Sequence, residues 1–471
     1  MKITFWGAVG TVTGSLHEVE AAGRHMILEC GLFQGRREEA RRRNSGLPIS
    51  VDSLDAVLLS HAHIDHSGNL PSLTKAGYEG PIYTTPATVD LCGKMLMDSA
   101  HIQEKDAEYV NKHYGRRRKI NSGSKGGQVE PLYTMADAEK VMPLFKPAPY
   151  HTETTLGDGL SFESYDAGHM LGSSSIILRE KNGSAETRLA FSGDIGRPGL
   201  PIIRNPETLP PVDFLIMEST YGGRLHEPEQ EAKKRLAQVV NRAWERGGKV
   251  IIPAFAVGRT QQIVLSLHEL TLENRIPEIP VFVDSPLAVN VTEVFRQHPE
   301  CYDAETREHL YEDRDPFGFK MLRYIRDVAE SKALNNMKEP AVIISASGMC
   351  EAGRILHHLK NNIENPRNTI VIVGYQAEYT LGRRIVEKRP EVPIFGEARK
   401  LLAEVVRINA FSGHADQREL LLWLKPLAPK LKRIFLVHGE RPQSEALATA
   451  IRDLFSLDVV VPERGDSFDL S

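Results

Sequence analysis

The chain has 471 residues, 41% of them hydrophobic and 25% charged, with a formal net charge of −4, which excludes a disordered or fibrous protein and a globally basic nucleic-acid binder. Its cysteines, Cys30, Cys92, Cys301 and Cys350, form no CxxC pair, which excludes a disulfide framework and a thiolate metal knuckle. Met1–Gly7 reads as an opening strand rather than a leader, and no apolar run is long enough to span a bilayer, so the expected setting is cytoplasmic with no membrane partner.

Up to about residue 205, short apolar strands at Met26–Cys30, Ile82–Thr84, Ser175–Leu178 and Leu189–Ser192 alternate with glycine turns. Ala56–Ser60 reads as a further buried strand, with Gly68 and Asn69 opening a short helix beyond it. Thr85-Pro86 is an N-cap followed by proline at the first helical position, and the helix it starts is expected past Met97 toward Glu108. From about 212 to 395 the rhythm becomes strand then helix: Phe214–Glu218, Lys249–Pro253 before Thr260–Leu272, Ala341–Ser345 before Ala352–Ile363, and Thr369–Val373. That alternation predicts a parallel sheet covered by helices. Short elements return at Val405–Ala410 and Arg433–Val437. The Pro-rich connection Pro206–Pro211 and a second break near Gly396 divide the chain into expected segments 1–207, 208–398 and 399–471.

The strand Ala56–Ser60 delivers the most informative run, His61-Ala62-His63-Ile64-Asp65-His66. A core or a solvated face does not need that density of imidazole and carboxylate, whereas a pair of metal ions does. Alternating spacing lets His61 and His63 share one metal, leaving Asp65 and His66 for a second. Three later segments repeat one form, a strand end, a small residue and a potential ligand: Asp166-Ala167-Gly168-His169, Ser192-Gly193-Asp194 and Val437-His438-Gly439-Glu440. Each alone also reads as a turn carboxylate or capping histidine; the shared form is what strengthens them together.

Together these motifs resemble the metallo-β-lactamase superfamily, and within it the β-CASP nucleases of RNA processing, over nearly the whole chain. The resemblance implies an α/β fold. A metallo-β-lactamase αββα sandwich is interrupted by a β-CASP domain with a parallel sheet flanked by helices, so that the first and last segments form one discontinuous domain. It implies two Zn2+ as cofactors, with His61, His63 and His169 on the first, Asp65, His66 and His438 on the second, and Asp194 bridging. It also pairs Glu218, in Met217-Glu218-Ser219-Thr220-Tyr221, with His414, in Phe411-Ser412-Gly413-His414-Ala415-Asp416. One position departs from the family pattern. Where relatives commonly carry aspartate, Leu28-Glu29-Cys30-Gly31 has Glu29, expected to hold a ligand histidine from behind. The longer side chain changes that geometry, which puts metal affinity at stake while activity is expected to survive.

The expected reaction is hydrolysis of phosphodiester bonds in single-stranded RNA, with Asp65, His414 and Glu218 as the catalytic set. A hydroxide bridging two zinc ions is a nucleophile at neutral pH, and His414, kept cationic by Glu218, protonates the leaving oxygen. Nitrogen and carboxylate ligation favours zinc, with Mn2+ second. Di-iron members of the superfamily place glutamate where this chain has His63, and DNA-acting relatives usually lack a histidine at His438. The compact chain, ending soon after His438, more closely resembles the endonuclease branch related to the polyadenylation-complex nuclease, so an endonuclease is expected ahead of a 5′ exonuclease. Dimerisation is common in the family, and a homodimer is a further expectation. Two other readings stand beside this one. A thioester or lactone hydrolase explains the ligands but not the insertion or His414, and a non-catalytic RNA-binding subunit would have lost ligands.

Phosphate contacts are expected from the insertion. Ser345-Ala346-Ser347-Gly348-Met349 leads from a strand to a helix expected near Glu351, so Ser347 and Gly348 would offer hydroxyl and N–H groups at a helix N-terminus. Ala256-Val257-Gly258-Arg259-Thr260 has the same form, with Arg259 suited to a phosphate, and plain capping is an equal reading of either turn. The runs Arg36-Arg37, Arg41-Arg42-Arg43 and Arg116-Arg117-Arg118-Lys119 read as RNA-backbone contacts or as solvated faces. Tyr114, Tyr221 and Tyr375 read as base-stacking or packing residues, and Asn121–Gly127 as a lid or a plain connector.

Overall fold

The computed structural model describes residues 1–35, 37–121, 128–226, 229–311, 315–374, 376, 378–408 and 412–470. Arg36, residues 122–127 and Tyr375 lie outside the described residues, as do the side chains of Arg37, Tyr114, Arg116, Arg117, Arg118, Lys119 and Asn121.

Two seven-stranded sheets face each other. The first runs Ser467–Asp469, Lys2–Phe5, His17–Ala21, Arg24–Leu28, Ala56–Leu58, Ile82–Thr84, Phe145–Pro147. The second runs Asp458–Val460, Arg433–Val437, Phe214–Glu218, Ala185–Phe191, Ser174–Asn182, Leu160–Asp166, Thr154–Gly157. Period-two alternation turns Ile3, Phe5, Met26 and Leu28 of one sheet onto Phe162, Ile176, Leu178 and Phe435 of the other, forming the central core. Helices cover both outer faces over their own cores, among them Leu70–Lys75 and Pro86–Asn121 on one side and Gln417–Leu424 and Arg441–Phe455 on the other. This is an αββα sandwich.

A third sheet, Leu322–Tyr324, Val281–Val283, Val342–Ser345, Val250–Pro253, Thr369–Val373, Glu404–Ile408, is parallel throughout. Its strands Val250–Pro253 and Thr369–Val373 are buried along their whole length, because helices pack on both faces.

Two strands lie close to the expected segment edges at 207 and 398. Phe214–Glu218 pairs in parallel with Ala185–Phe191 and Arg433–Val437 inside the sandwich, and Glu404–Ile408 pairs with Thr369–Val373 in the six-stranded sheet. An apolar run buried on both faces looks the same in either sheet, so only its hydrogen-bond partners tell them apart. The helix from Pro86 also continues beyond Glu108 to Asn121, since no proline or glycine interrupts Lys94 to His113. The helix expected near Glu351 begins at Ile355, because Gly353 at φ +82° ends the preceding turn in a conformation that no right-handed helix contains.

One buried ionic cluster ties the six-stranded sheet to its helices. Asp284, fully buried, accepts from Ser331 Oγ, His358 Nε2 and Arg354 Nη1, each at 2.6 Å. Burial opposes its charge, but these donors, His358 first, hold its carboxyl below the usual range. A depressed carboxyl contributes stability that is full above its unfolded pKa and is lost as pH falls through the folded value. Asp284→Asn is therefore expected to cost about 3 kcal/mol at neutral pH. The check is the urea unfolding midpoint, with the gap to wild type closing below about pH 4.

Candidate metal centre

The strand ends bring the chemistry together. Asp194, Glu218 and His438 emerge at the C-terminal ends of adjacent parallel strands of the second sheet, and His169 follows Leu160–Asp166 in the same sheet. From the first sheet, Ala56–Leu58 leads to His61 and His63, and the turn of helix Ile64–Ser67 carries Asp65 and His66. Gly193, at φ +56°, aims Asp194 inward; a Cβ there would lie 2.8 Å from Ser174 O and 2.9 Å from Ser60 Cβ.

The outer hydrogen bonds of the imidazoles set which nitrogen faces the centre. His66 Nδ1 meets Glu29 Oε2 at 2.8 Å, and His169 Nδ1 donates to Gly413 O at 3.2 Å. Thr220 Oγ1 gives its proton to the His438 carbonyl at 2.9 Å and therefore accepts from His438 Nδ1 at 3.0 Å. These rings carry their protons outside and turn Nε2 inward as a lone pair. His66 Nε2 and His438 Nε2 approach to 3.1 Å, while Nε2 of His61 and of His169 lie 3.1 and 3.2 Å from His63 Nδ1. Lone pairs packed that closely repel, and a cation between them converts the repulsion into coordination.

Asp194 sits between the two groups. Its Oδ2 is 3.4 Å from His61 Nε2, 3.3 Å from His66 Nε2 and 3.6 Å from His169 Nε2, and its Oδ1 is 3.5 Å from His438 Nδ1. Oδ1 is buried without a hydrogen-bond donor, an atom that burial penalises unless a cation meets it. Burial opposes the charge on Asp194, yet the surrounding histidines, His438 first, hold its carboxyl well below the ordinary range. Asp65 Oδ2 completes the second group, 3.6 Å from His438 Nε2. The potential ligand atoms of His61, His63, His169 and Asp194 lie within 4.8 Å of one another, as do those of Asp65, His66 and His438. The donor set fits metal ions, and every ligand expected from the sequence is in it.

His414 stands beside this cluster. Its Nδ1 is 3.3 and 3.2 Å from the Glu218 carboxylate oxygens and 3.9 Å from Asp194 Oδ2. Burial works against its charge, but Glu218 and then Asp194 raise its pKa above the ordinary value. Glu218 is itself fully buried and fixed by Ile195 N, which donates to Oε1 at 2.6 Å. The cluster opens into a cleft of about 1420 Å³ lined from both the sandwich and the six-stranded sheet.

The expected substrate contacts divide. Arg259 and Ser347 line the cleft, as does Arg41. Arg259 donates to Gln262, and burial pushes its guanidinium down to about 10, which leaves it cationic at neutral pH. Ser347 Oγ accepts from Glu351 N at 3.1 Å and Ala352 N at 3.4 Å inside the turn, not at a helix N-terminus. Gly348 is buried against Phe255, where a Cβ would lie 2.8 Å from Phe255 Cδ2. Tyr221 is buried, its ring 4.4 Å from that of His226, so it packs rather than offering a face to a base. Arg43 pairs with Glu39 at 2.6 Å and covers the Phe33 ring. Sequence reading missed Thr220 and Phe255. Thr220 follows Glu218 closely enough to have been suspected, whereas Phe255 carried no signal beyond an apolar run.

Known proteins share this architecture. Residues 19–185 match the metallo-beta-lactamase superfamily domain, 260–385 the Beta-Casp domain, and 399–462 the Zn-dependent metallo-hydrolase RNA specificity domain. Over 449 residues the chain is 37% identical to Ribonuclease TTHA0252 of Thermus thermophilus, covering 95% of each protein. The chain belongs to the β-CASP branch of the metallo-β-lactamase superfamily. Further relatives are called Transcription termination factor FttA, among them two from different genera. That of Pyrococcus abyssi is 33% identical over 88% of this chain and 62% of its own length, and that of Methanocaldococcus jannaschii 30% identical over 99% and 71%. A crystal structure of a protein of unknown function from Enterococcus faecalis V583 superposes with a TM-score of 0.55 at 14% identity, over 100% of this chain and 99% of that one, and so shares the fold. Among the described residues no helix is long and apolar enough to cross a membrane.

Glu29, expected to hold a ligand histidine from behind, reaches both His66 and the backbone N–H of Ser60, at 2.8 and 2.7 Å. Glu29→Ala is expected to weaken metal binding by roughly 10- to 100-fold. Competition with a chromophoric chelator measures this without reference to activity.

Proposed function

We propose that this chain is a zinc-dependent ribonuclease that hydrolyses phosphodiester bonds of single-stranded RNA, as an endonuclease. The observation that carries the reading is the convergence of inward-facing imidazole nitrogens on Asp194, with His414 held by Glu218 at the same cleft. His61, His63 and His169 would hold one zinc ion, Asp65, His66 and His438 the other, and Asp194 both. When bound, such ions make water nucleophilic at neutral pH and neutralise a phosphate oxygen.

The chain's own residues supply the rest. Glu218 engages His414 at Nδ1 and keeps it protonated, so Nε2–H is the proton available to the leaving oxygen of the RNA. Ile195 N and the buried position of Glu218 fix that orientation before substrate arrives. Arg259, cationic and on the cleft wall, is suited to a backbone phosphate, with Ser347 beside the path. The match of 399–462 to an RNA specificity domain and the ribonuclease name of the Thermus relative favour RNA as the substrate.

Circular single-stranded RNA tests the reading, beside its linear 5′-labelled form, with zinc added. Wild type is expected to cut the circle, which has no end to enter. His414→Ala is expected to slow cleavage by about 10²- to 10⁴-fold with its zinc content unchanged. Degradation of the linear form alone would make the enzyme an exonuclease. Hydrolysis of thioesters or lactones with both RNAs untouched would sink the nuclease reading.

A further inference from the structure

Among the described residues, three aromatic rings other than histidine line the cleft: Phe33, Phe255 and Tyr379. Phe33 is covered by the Arg43 guanidinium, 4.2 Å from its centroid, and Tyr379 is 58% exposed. Phe255 is different. It is half-buried, and its ring centroid is 6.4 Å from that of His63, next to the metal cluster.

The ring is held before any ligand arrives. Phe255 follows strand Val250–Pro253, and its carbonyl accepts from Thr260 Oγ1 at 2.8 Å and Thr260 N at 3.3 Å at the start of helix Arg259–Leu272. Beside it lies Gly348, where a Cβ would stand 2.8 Å from Cδ2 and 2.9 Å from Cε2, so the absence of a side chain at 348 is what lets the ring lie there. A neutral ring does nothing for a metal ion or a phosphate. Apolar side chains such as Ile64, Met170 and Val257 also line the cleft, but a flat π-face on which a base can stack is what Phe255 adds beside the cluster.

On the ribonuclease reading above, we infer that Phe255 is the stacking wall for a nucleobase flanking the scissile phosphate. Gly348 serves that wall by making room for it. A π-face accepts any base, because stacking reads no hydrogen-bond pattern. The enzyme therefore needs a base at this position but tolerates its identity. A ring fixed in advance also spares the entropy of ordering it on binding.

The test uses a 5′-labelled single-stranded RNA on which wild-type cleavage has been mapped. Each of the two nucleotides flanking the cut is then replaced, one at a time, by an abasic ribose. Wild type is expected to lose roughly 5- to 150-fold in kcat/KM on one abasic RNA. Phe255→Leu should show a similar loss on the intact RNA and no further loss on the abasic one, and Phe255→Trp should recover both the rate and the base dependence. Should Phe255→Leu fail to fold, Gly348→Ala displaces the ring while every metal ligand stays, and the same loss of base dependence is expected. Equal cleavage of intact and abasic RNAs by wild type overturns the stacking wall and leaves the ribonuclease reading standing. So does an abasic penalty that persists undiminished in the folded variant. Absence of any wild-type cleavage of intact RNA when the cut is first mapped overturns the ribonuclease reading and the stacking wall with it.

Discussion

The site depends on keeping one carboxylate, Asp194, buried among imidazoles. Only 2% of its surface is exposed, and one of its oxygens has no hydrogen-bond donor. Isolated burial of such an anion costs several kcal/mol, so the surroundings must answer it. They do so through geometry. Asp194, Glu218 and His438 occupy the ends of neighbouring parallel strands, which are among the least deformable positions a fold offers. The outer partners Glu29, Gly413 and Thr220 then fix which nitrogen of His66, His169 and His438 faces inward. A wrong tautomer at any of these rings would point a proton where a lone pair is required.

Glu29 reaches its partners through a turn of its own backbone. It follows strand Arg24–Leu28 with φ +69°, a left-handed conformation that costs a residue with a Cβ roughly 1–2 kcal/mol. Turning the backbone there sets the longer side chain so that its two oxygens serve different partners, Ser60 N and His66 Nδ1. Ser60 directly precedes His61, so one carboxylate steadies residues of both potential ligand groups. The long side chain thus reaches both partners at once, and metal affinity is the property that reports on it.

The sequence revealed the centre better than its surroundings, for a physical reason. His61 to His66 are local, so their density is visible in one window, and His169, Asp194 and His438 share the strand-end form that rigid ligands need. Pairing is not local. The burial of Phe214–Glu218 reads alike in any sheet, and only its bonds to Ala185–Phe191 and Arg433–Val437 assign it to the sandwich. Thr220 acquires its role from a histidine 218 residues away. Gly348 invited a phosphate-cradle reading because glycine at a strand-to-helix turn has that use elsewhere. Here the same lack of a side chain makes room for Phe255, which no pattern in the chain discloses.

His414 and the cleft wall are held by different parts of the fold. His414 comes a few residues after Glu404–Ile408, the last strand of the six-stranded sheet, yet its own contacts run to the sandwich. It bridges to Gly196, Ala415 N donates to Ile195 O at 2.8 Å, and Glu218 holds its ring. Arg259, Ser347 and Phe255 instead ride on the six-stranded sheet and its helices. The two sets meet at Gly413, where a Cβ would lie 2.0 Å from Arg259 Nη2. A shift of the six-stranded sheet relative to the sandwich would therefore change the wall that a substrate meets while leaving His414 on Glu218. In this arrangement the cleft wall belongs to the six-stranded sheet and its helices, while His414 and the potential metal ligands are held by contacts within the sandwich.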